Sequence, residues 1–137
     1  TANTVTTLVN YSSPSVTAYD VIEFSYLFDI NNASANSEVF TVTVDLGTPT
    51  YTQSYTVANG VTAEIGVQCK LVNIGTNYMV QLLISDGTTV KHVYDVITKS
   101  ALTGFLVSAE NTSVVAATLT ITGQGGYGLF DTVSLLN

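Results

Sequence analysis

Asp131 is the carboxylate whose position in the sequence asks for an explanation. It lies in register with Leu129, Val133 and Leu135, so strand alternation points its side chain toward the apolar side. A buried carboxylate is costly unless it is paired, hydrogen-bonded or bound to a metal. Asp131 is therefore interpreted either as a ligand of a structural Ca²⁺ or as a strand-end residue that accepts backbone N–H bonds or meets water.

Two further aspartates stand where the chain is expected to reverse. Asp86 precedes Gly87, and Asp45 is followed by Leu46-Gly47. Turn carbonyl oxygens can complete the oxygen shell that Ca²⁺ prefers. Asp45 and Asp86 are therefore added to Asp131 as candidate metal ligands.

Two tyrosines form a candidate ligand-binding pair. Tyr51 and Tyr55 alternate with threonine and serine, so both rings are predicted on one strand face. If that face is exposed, the rings offer flat surfaces for stacking sugars. If it is buried, they are core aromatics.

The residue types do not favour catalysis. His92 is the single histidine, which excludes a zinc site of several histidines within one chain. Its register with neighbouring apolar residues predicts a half-buried structural histidine. The glycine-rich run at 123–128 lacks the following helix that a phosphate loop needs, so it is interpreted as a turn. The sequence predicts that the protein is not an enzyme.

The amino-acid composition limits the classes of molecule that the protein is expected to bind. Charged residues make up 9% of the 137 residues, against about 25% in ordinary globular proteins. Three lysines, no arginine and ten acidic residues leave a net charge of −7, which disfavours nucleic-acid binding. With so few charges on the surface, we expect either a neutral exterior rich in hydroxyl and amide groups or, as the favoured alternative, neighbouring copies that cover much of it.

The remaining composition favours an extracellular protein without a membrane span. The chain is acidic, threonine-rich and cysteine-poor, and no apolar run approaches the roughly 18 residues that cross a bilayer. Cys69 has no partner for an intrachain disulfide, and its apolar series predicts a buried, inert thiol.

Alternation of apolar and polar residues predicts strands along the whole chain. The clearest runs are 21–30, 39–46 and 61–71, and Asn59-Gly60 and Asp86-Gly87 are typical hairpin turns. Residues 31–37 predict an exposed loop that holds the glycosylation sequon Asn32-Ala33-Ser34. Residues 114–137 predict a closing hairpin that reverses at 123–126.

About nine or ten short strands predict one antiparallel β-sandwich over residues 1–137. Residues 1–9 are predicted to be an edge strand, either paired within its own sheet or donated to a neighbouring copy.

The segment Leu129–Leu135, LFDTVSL, resembles the closing strand of jelly-roll carbohydrate-binding modules, which often ends in an F-D-D-V-S-L-type run. The resemblance implies a jelly-roll sandwich, and an aspartate at the position of Asp131 that commonly helps hold calcium in that family. Thr132 replaces the second aspartate of the run. At the level of class, the chain is also similar to secreted self-assembling jelly-roll subunits such as archaeal cannulae.

Two functions follow as hypotheses. The first is a non-enzymatic extracellular structural subunit that self-assembles into a filament, tube or surface or virion coat and is stabilised by Ca²⁺. The second is a monomeric carbohydrate-binding module of a secreted or cell-surface protein, with a glycan as its partner.

Overall fold

The computed structural model describes residues 5–11, 19–111 and 119–130, and in these ranges the chain is built from β-strands and one 3-10 turn, Lys99–Ala101. The alternation of apolar and polar residues explains this outcome, because successive side chains of a strand point to opposite faces. The all-β prediction is confirmed. The strands are β1 Val5–Tyr11, β2 Val21–Asn32, β3 Glu38–Gly47, β4 Thr50–Val57, β5 Thr62–Asn73, β6 Asn77–Ser85, β7 Val90–Thr98, β8 Leu102–Asn111 and β9 Leu119–Phe130.

The strands form two antiparallel sheets that share one hydrophobic core. The four-stranded sheet has the order β1-β8-β3-β4 and the five-stranded sheet the order β7-β6-β5-β2-β9. This arrangement is consistent with the predicted β-sandwich. Within the described ranges, no helix is long and apolar enough to cross a membrane.

Strand β2 is hydrogen-bonded within the five-stranded sheet and packs its inner face against the four-stranded sheet. It pairs with β5 on one side and β9 on the other, and its alternate residues enter the core. The ring of Phe24 stacks on that of Phe105 in β8, with 4.8 Å between ring centroids. Each fully buried side chain of this size contributes about 1.5–3 kcal/mol, so this inner face is a main source of stability.

Of the two predicted hairpin turns, Asp86-Gly87 and Asn59-Gly60, the structure contains one. Asp86-Gly87 joins β6 and β7, which pair from Ser85↔Val90, so the predicted hairpin is confirmed. Asn59-Gly60 does not form the predicted hairpin, because β4 and β5 belong to different sheets. The Gly60 N–H donates to the Asn32 carbonyl oxygen, which ties this crossover to the end of β2.

The predicted closing hairpin is wrong in its turn. Residues 123–126 lie inside the continuous strand β9, which pairs with β2 from Asn32↔Leu119 to Val21↔Phe130. Gly125 allows β9 to approach β2 closely and does not reverse the chain. It pairs with Tyr26, and a Cβ at Gly125 would lie 2.7 Å from Tyr26 Cγ and overlap the Ser25 carbonyl oxygen.

Substitution at this glycine tests the arrangement. Gly125→Ala should lower the free energy of unfolding by about 2 kcal/mol or more, because the obstructing atoms belong mainly to the β2 backbone. Gly126→Ala is the matched control, since a Cβ at Gly126 meets nothing within 4 Å. Urea unfolding of both variants measures the difference, and equal stabilities would contradict the strand pairing.

Candidate functional site

The outer side of β6 and β7 carries an exposed apolar surface. While Tyr78, Val80, Leu82 and Ile84 of β6 face the core, the alternate residues face solvent. Five large apolar side chains are between 36% and 67% exposed, and we call them the outer apolar patch: Met79, Leu83, Val90, Tyr94 and Val96.

Strand register makes this surface continuous. Met79 is paired with Val96, Gln81 with Tyr94, and Leu83 with His92. Side chains directly opposite across a ladder have Cβ atoms about 4.5–5.5 Å apart, so these rows are in contact range. The rings of His92 and Tyr94 lie 4.3 Å apart between centroids.

Polar groups border the patch on its β5 side. Lys70 is paired with Gln81, which is paired in turn with Tyr94. Lys70 Nζ lies 3.5 Å from Glu23 Oε1, and both side chains are about half exposed, so this ion pair adds less than about 1 kcal/mol. A shallow depression of about 650 Å³ runs between these elements, and its lining includes Lys70, Val72, Met79, Gln81, Tyr94 and Val96.

The other side of β7 carries charge. Lys91 and Asp95 alternate with the outward residues, and Asp95 Oδ2 accepts a hydrogen bond of 2.9 Å from the Tyr51 hydroxyl of β4. Since β7 is an edge strand, charged residues on its inward side oppose the addition of another strand. Charge therefore disfavours strand addition at the edge of β7.

The structure places the predicted tyrosine pair toward the interior. Tyr55 is 5% exposed and stacks on Phe40 with 5.6 Å between ring centroids. Tyr51 is half-buried and packs against the core. The flat exposed platform that sugar stacking needs is consequently not formed by these two rings.

The two predicted turn aspartates lie apart and hold their own turns. Asp45 Oδ1 accepts the Gly47 N–H at 2.8 Å. Asp86 Oδ1 accepts the backbone N–H of Thr89 at 2.6 Å and of Thr88 at 2.8 Å, and these bonds lower the pKa of Asp86.

The separation of these aspartates follows from β4. Asp45 is paired with Thr50, whereas the turn that Asp86 holds lies at Tyr55, whose hydroxyl donates to the Thr89 carbonyl oxygen. The five residue steps from Thr50 to Tyr55 span about 17 Å, so the two carboxylates do not share one ion. The third candidate, Asp131, lies outside the described residues, as does most of the run that resembles carbohydrate-binding modules.

The remaining reactive groups have structural positions. Cys69 is buried, and burial raises the pKa of its thiol to about 12, so the predicted inert thiol fits its position. His92 was predicted to be half-buried but is exposed, because the face it shares with Tyr94 is the solvent face of an edge strand. Within the described ranges, no three His, Cys, Asp or Glu side chains come together as a metal-binding group.

Sequence reasoning missed the outer apolar patch. In β7, VKHVYDVIT, apolar residues occur on both faces: Val90, Tyr94 and Val96 on one, Val93 and Ile97 on the other. Apolar residues on both faces of β7 are the sequence signal that indicates this patch, because an edge strand with one solvated face needs apolar residues only on its core side.

Buried tyrosines make stability depend on alkaline pH. Burial, with the Asp86 charge as a smaller cause, raises the pKa of Tyr55 to about 12. Unfolded tyrosine loses its proton near pH 10, so the free energy of unfolding should fall between about pH 10 and 12 as the unfolded chain alone ionises. Urea unfolding at pH 9, 10.5 and 11.5 measures the slope.

In the variant Tyr55→Phe, the free energy of unfolding should fall less steeply with pH, because the variant lacks a hydroxyl that stays protonated in the folded state. Tyr94→Phe, at an exposed ring, is the matched control and should keep the parent slope. An unchanged slope in Tyr55→Phe would contradict the buried position of this hydroxyl.

Comparison with known proteins assigns no family. No protein-family model, curated protein sequence or solved structure matches the chain. Its function is therefore argued from the geometry of the described residues.

Proposed function

We propose that the protein is a non-enzymatic extracellular structural subunit that self-assembles, and that the outer apolar patch packs against another copy of the chain. The observation that carries the proposal is the patch itself: five large apolar side chains stand side by side on one sheet, each at least 36% exposed. Contiguous exposed apolar surface of this kind is typical of protein–protein contacts.

Charge favours a second copy as the occupant. Of the three lysines, Lys70 lies in β5 at the border of the patch, Lys91 lies on the inward side of β7, and Lys99 directly follows β7. The chain as a whole is strongly acidic, with a net charge of −7. Contact between the Lys70 border of the patch on one copy and an acidic surface of the next joins unlike surfaces, and repeated contacts of this type build filaments or tubes.

Net charge also sets the conditions for assembly. The net charge of −7 on each copy makes the copies repel one another, and salt or bound cations reduce this repulsion. Ca²⁺ accordingly stabilises the assembly by reducing this repulsion, and the sandwich of each copy is of the jelly-roll type. In the structure, β1 pairs with β8 of its own chain, so assembly by strand donation would first require those strands to separate.

Polar substitution of the patch tests the proposal. The double variant Met79→Ser with Val96→Ser removes one cross-strand apolar pair and should raise the concentration needed for assembly at least tenfold, since about 1.4 kcal/mol is tenfold in affinity. Light scattering and negative-stain microscopy measure assembly at several protein concentrations and salt levels.

The matched control is Ile74→Ser with Val61→Ser, which removes two similarly exposed apolar side chains from turns outside the patch. The control should assemble like the parent. Equal assembly of both double variants, or a parent that stays monomeric in every condition, would reject the patch as the contact between copies.

A carbohydrate-binding module is the second candidate, and Tyr94 is the observation that favours it. Its ring is 67% exposed, with Gln81 and Lys70 in the same cross-strand row. An exposed ring beside hydrogen-bonding side chains is the arrangement on which a sugar can stack. In this alternative, the glycan takes the place of the second copy.

Tyr94→Ala separates the second candidate from the first. A binding module should lose at least tenfold in glycan affinity on an array followed by calorimetry, while Tyr51→Ala should keep the parent affinity because Tyr51 faces the interior. Absence of any parent signal on the array would remove this candidate.

A further inference from the structure

Strand β4 lies at one edge of the four-stranded sheet and, within the described ranges, pairs with β3 alone. The register of this pairing runs without a shift from Glu38↔Val57 to Asp45↔Thr50. An edge strand leaves a row of backbone N–H and C=O groups unpaired on its outer side, and these groups can bind another strand. The outer side of β4 is therefore a candidate site for strand addition.

The turn between β3 and β4 determines which backbone groups point outward. Leu46 N–H donates to the Pro49 carbonyl oxygen at 3.0 Å, so these two residues form a hydrogen-bonded pair of the ladder. Hydrogen-bonded and non-hydrogen-bonded pairs alternate along antiparallel strands. Four residues of β4 consequently direct their N–H and C=O groups away from β3, and we call them the free-edge residues: Thr50, Thr52, Ser54 and Thr56. The Ser54 carbonyl oxygen accepts a 3.1 Å hydrogen bond from Gln53 Nε2, as expected of a carbonyl group that does not bond to β3.

Strand β4 lacks the features that protect the other three sheet edges against strand addition. β7 has Lys91 and Asp95 on its inward side, β1 shifts its register between Thr7 and Val9, and β9 contains four glycines. Charges, bulges and glycines all weaken the pairing of an edge with another strand. In contrast, β4, TYTQSYTV, contains no charged residue, proline or glycine, and six of its eight residues are Thr, Tyr or Val, which are enriched in strands.

We propose that β4 pairs antiparallel with β4 of a second copy, so that the two four-stranded sheets join across a two-fold axis. In the register centred on Gln53, Thr50 faces the partner's Thr56, and Thr52 faces the partner's Ser54. The free-edge residues then form hydrogen-bonded pairs with one another, and each of their N–H and C=O groups gains a partner.

The same register matches the side chains of the two copies. On the outer face, the hydroxyls of threonine and serine lie opposite one another, an arrangement that stabilises antiparallel pairs. On the core side, Tyr51 lies opposite the partner's Tyr55. No side chain of β4 is charged, so two copies with a net charge of −7 meet along a strand where neither carries charge.

Strand β7 adds charge complementarity beside this contact. The Tyr51 hydroxyl donates to Asp95 Oδ2 and the Tyr55 hydroxyl to the Thr89 carbonyl oxygen, so β7 runs beneath β4 in the opposite direction. Because Tyr51 of one copy is level with Tyr55 of the other, Asp95 is level with the segment that begins at the partner's Thr89 and includes Lys91. The register therefore brings opposite charges to the same level of the joined copies.

This contact is separate from the outer apolar patch, which lies on the other sheet. A contact between identical surfaces closes with two copies and does not by itself build a filament. The pairing of β4 consequently stands even if the patch binds nothing. If the patch also joins copies, the β4 dimer is the unit that it joins.

Hydrogen exchange of the full chain, measured by NMR in a dilute and a concentrated sample, tests the contact. The amides of the free-edge residues should exchange about tenfold more slowly in the concentrated sample. The amides of Tyr51, Gln53 and Tyr55 bond to β3 in both states and should keep their rates. Sedimentation velocity should show a dimer in the concentrated sample. The double variant Met79→Ser with Val96→Ser should give the same results, because the outer apolar patch takes no part.

Gln53→Lys should weaken the dimer about tenfold or more, because it places two lysines opposite each other at the two-fold axis. The variant also reduces the negative charge of each copy, so general repulsion between copies does not account for the loss. Gln124→Lys is the matched control, since it makes the same change at an exposed position of the edge strand β9. It should dimerise like the parent.

A pair of cysteines tests the register. Gln53→Cys places two thiols in a non-hydrogen-bonded pair whose Cα atoms lie about 4.5 Å apart, within the range of a disulfide. Oxidised glutathione should therefore link this variant into a covalent dimer. Thr52→Cys is the control: its two Cα atoms lie about 9 Å apart in this register, so it should give at least tenfold less covalent dimer. Cys69 is buried and does not compete.

A parent that stays monomeric at every concentration would overturn the proposal, and so would a dimer in which the free-edge amides exchange as fast as in the monomer. Parent dimerisation in Gln53→Lys, or equal covalent dimer from Gln53→Cys and Thr52→Cys, would also overturn it. Loss of the dimer in Gln124→Lys would place the contact at β9, and loss in the Met79→Ser, Val96→Ser variant would place it at the patch; either result rejects the pairing of β4. If Gln53→Lys does not fold, the yield of covalent dimer from Gln53→Cys decides.

Discussion

The packing of β2 against the opposite sheet is the constraint on which the rest of the structure depends. β2 lies between β5 and β9, and its inner residues meet those of β8 through the stacked rings of Phe24 and Phe105. Because alternate residues must face this core, the residues between them must face away from it. The close approach of β9 follows from the same demand, since Tyr26 leaves no room for a side chain at Gly125.

This constraint makes the two faces of β7 unequal. As an edge strand, β7 has one neighbour, and its inward side combines Val93 and Ile97 with Lys91 and Asp95. The Tyr51–Asp95 hydrogen bond joins it to β4 of the other sheet. Its outward side is mainly apolar. Charge thus opposes the pairing of another strand with the edge of β7. The exposed apolar area on the outward side of β7 instead favours face-to-face packing.

Acidic and amide side chains at the sheet ends stabilise turns. Asp45 and Asp86 each accept backbone N–H groups of their own turns through a carboxylate oxygen. In the loop from Asn32 to Glu38, Asn32 Oδ1 accepts the Ser34 N–H in the same way, and the Ser34 hydroxyl lies within hydrogen-bonding distance of the Glu38 carboxylate.

By itself, the sequence determined the local features, because period-two alternation and turn chemistry act over a few residues. It predicted all-β structure, the strand from Val21 and the Asp86-Gly87 hairpin. Tertiary structure decided what depends on distant residues. Asn59-Gly60 lies in a crossover because β5 pairs with strands of the other sheet. Strand β9 continues through its glycines because it pairs with β2 along its whole length. Tyr55 is buried and Tyr94 exposed although both stand in alternating strands, since alternation defines two faces but only packing decides which one is covered.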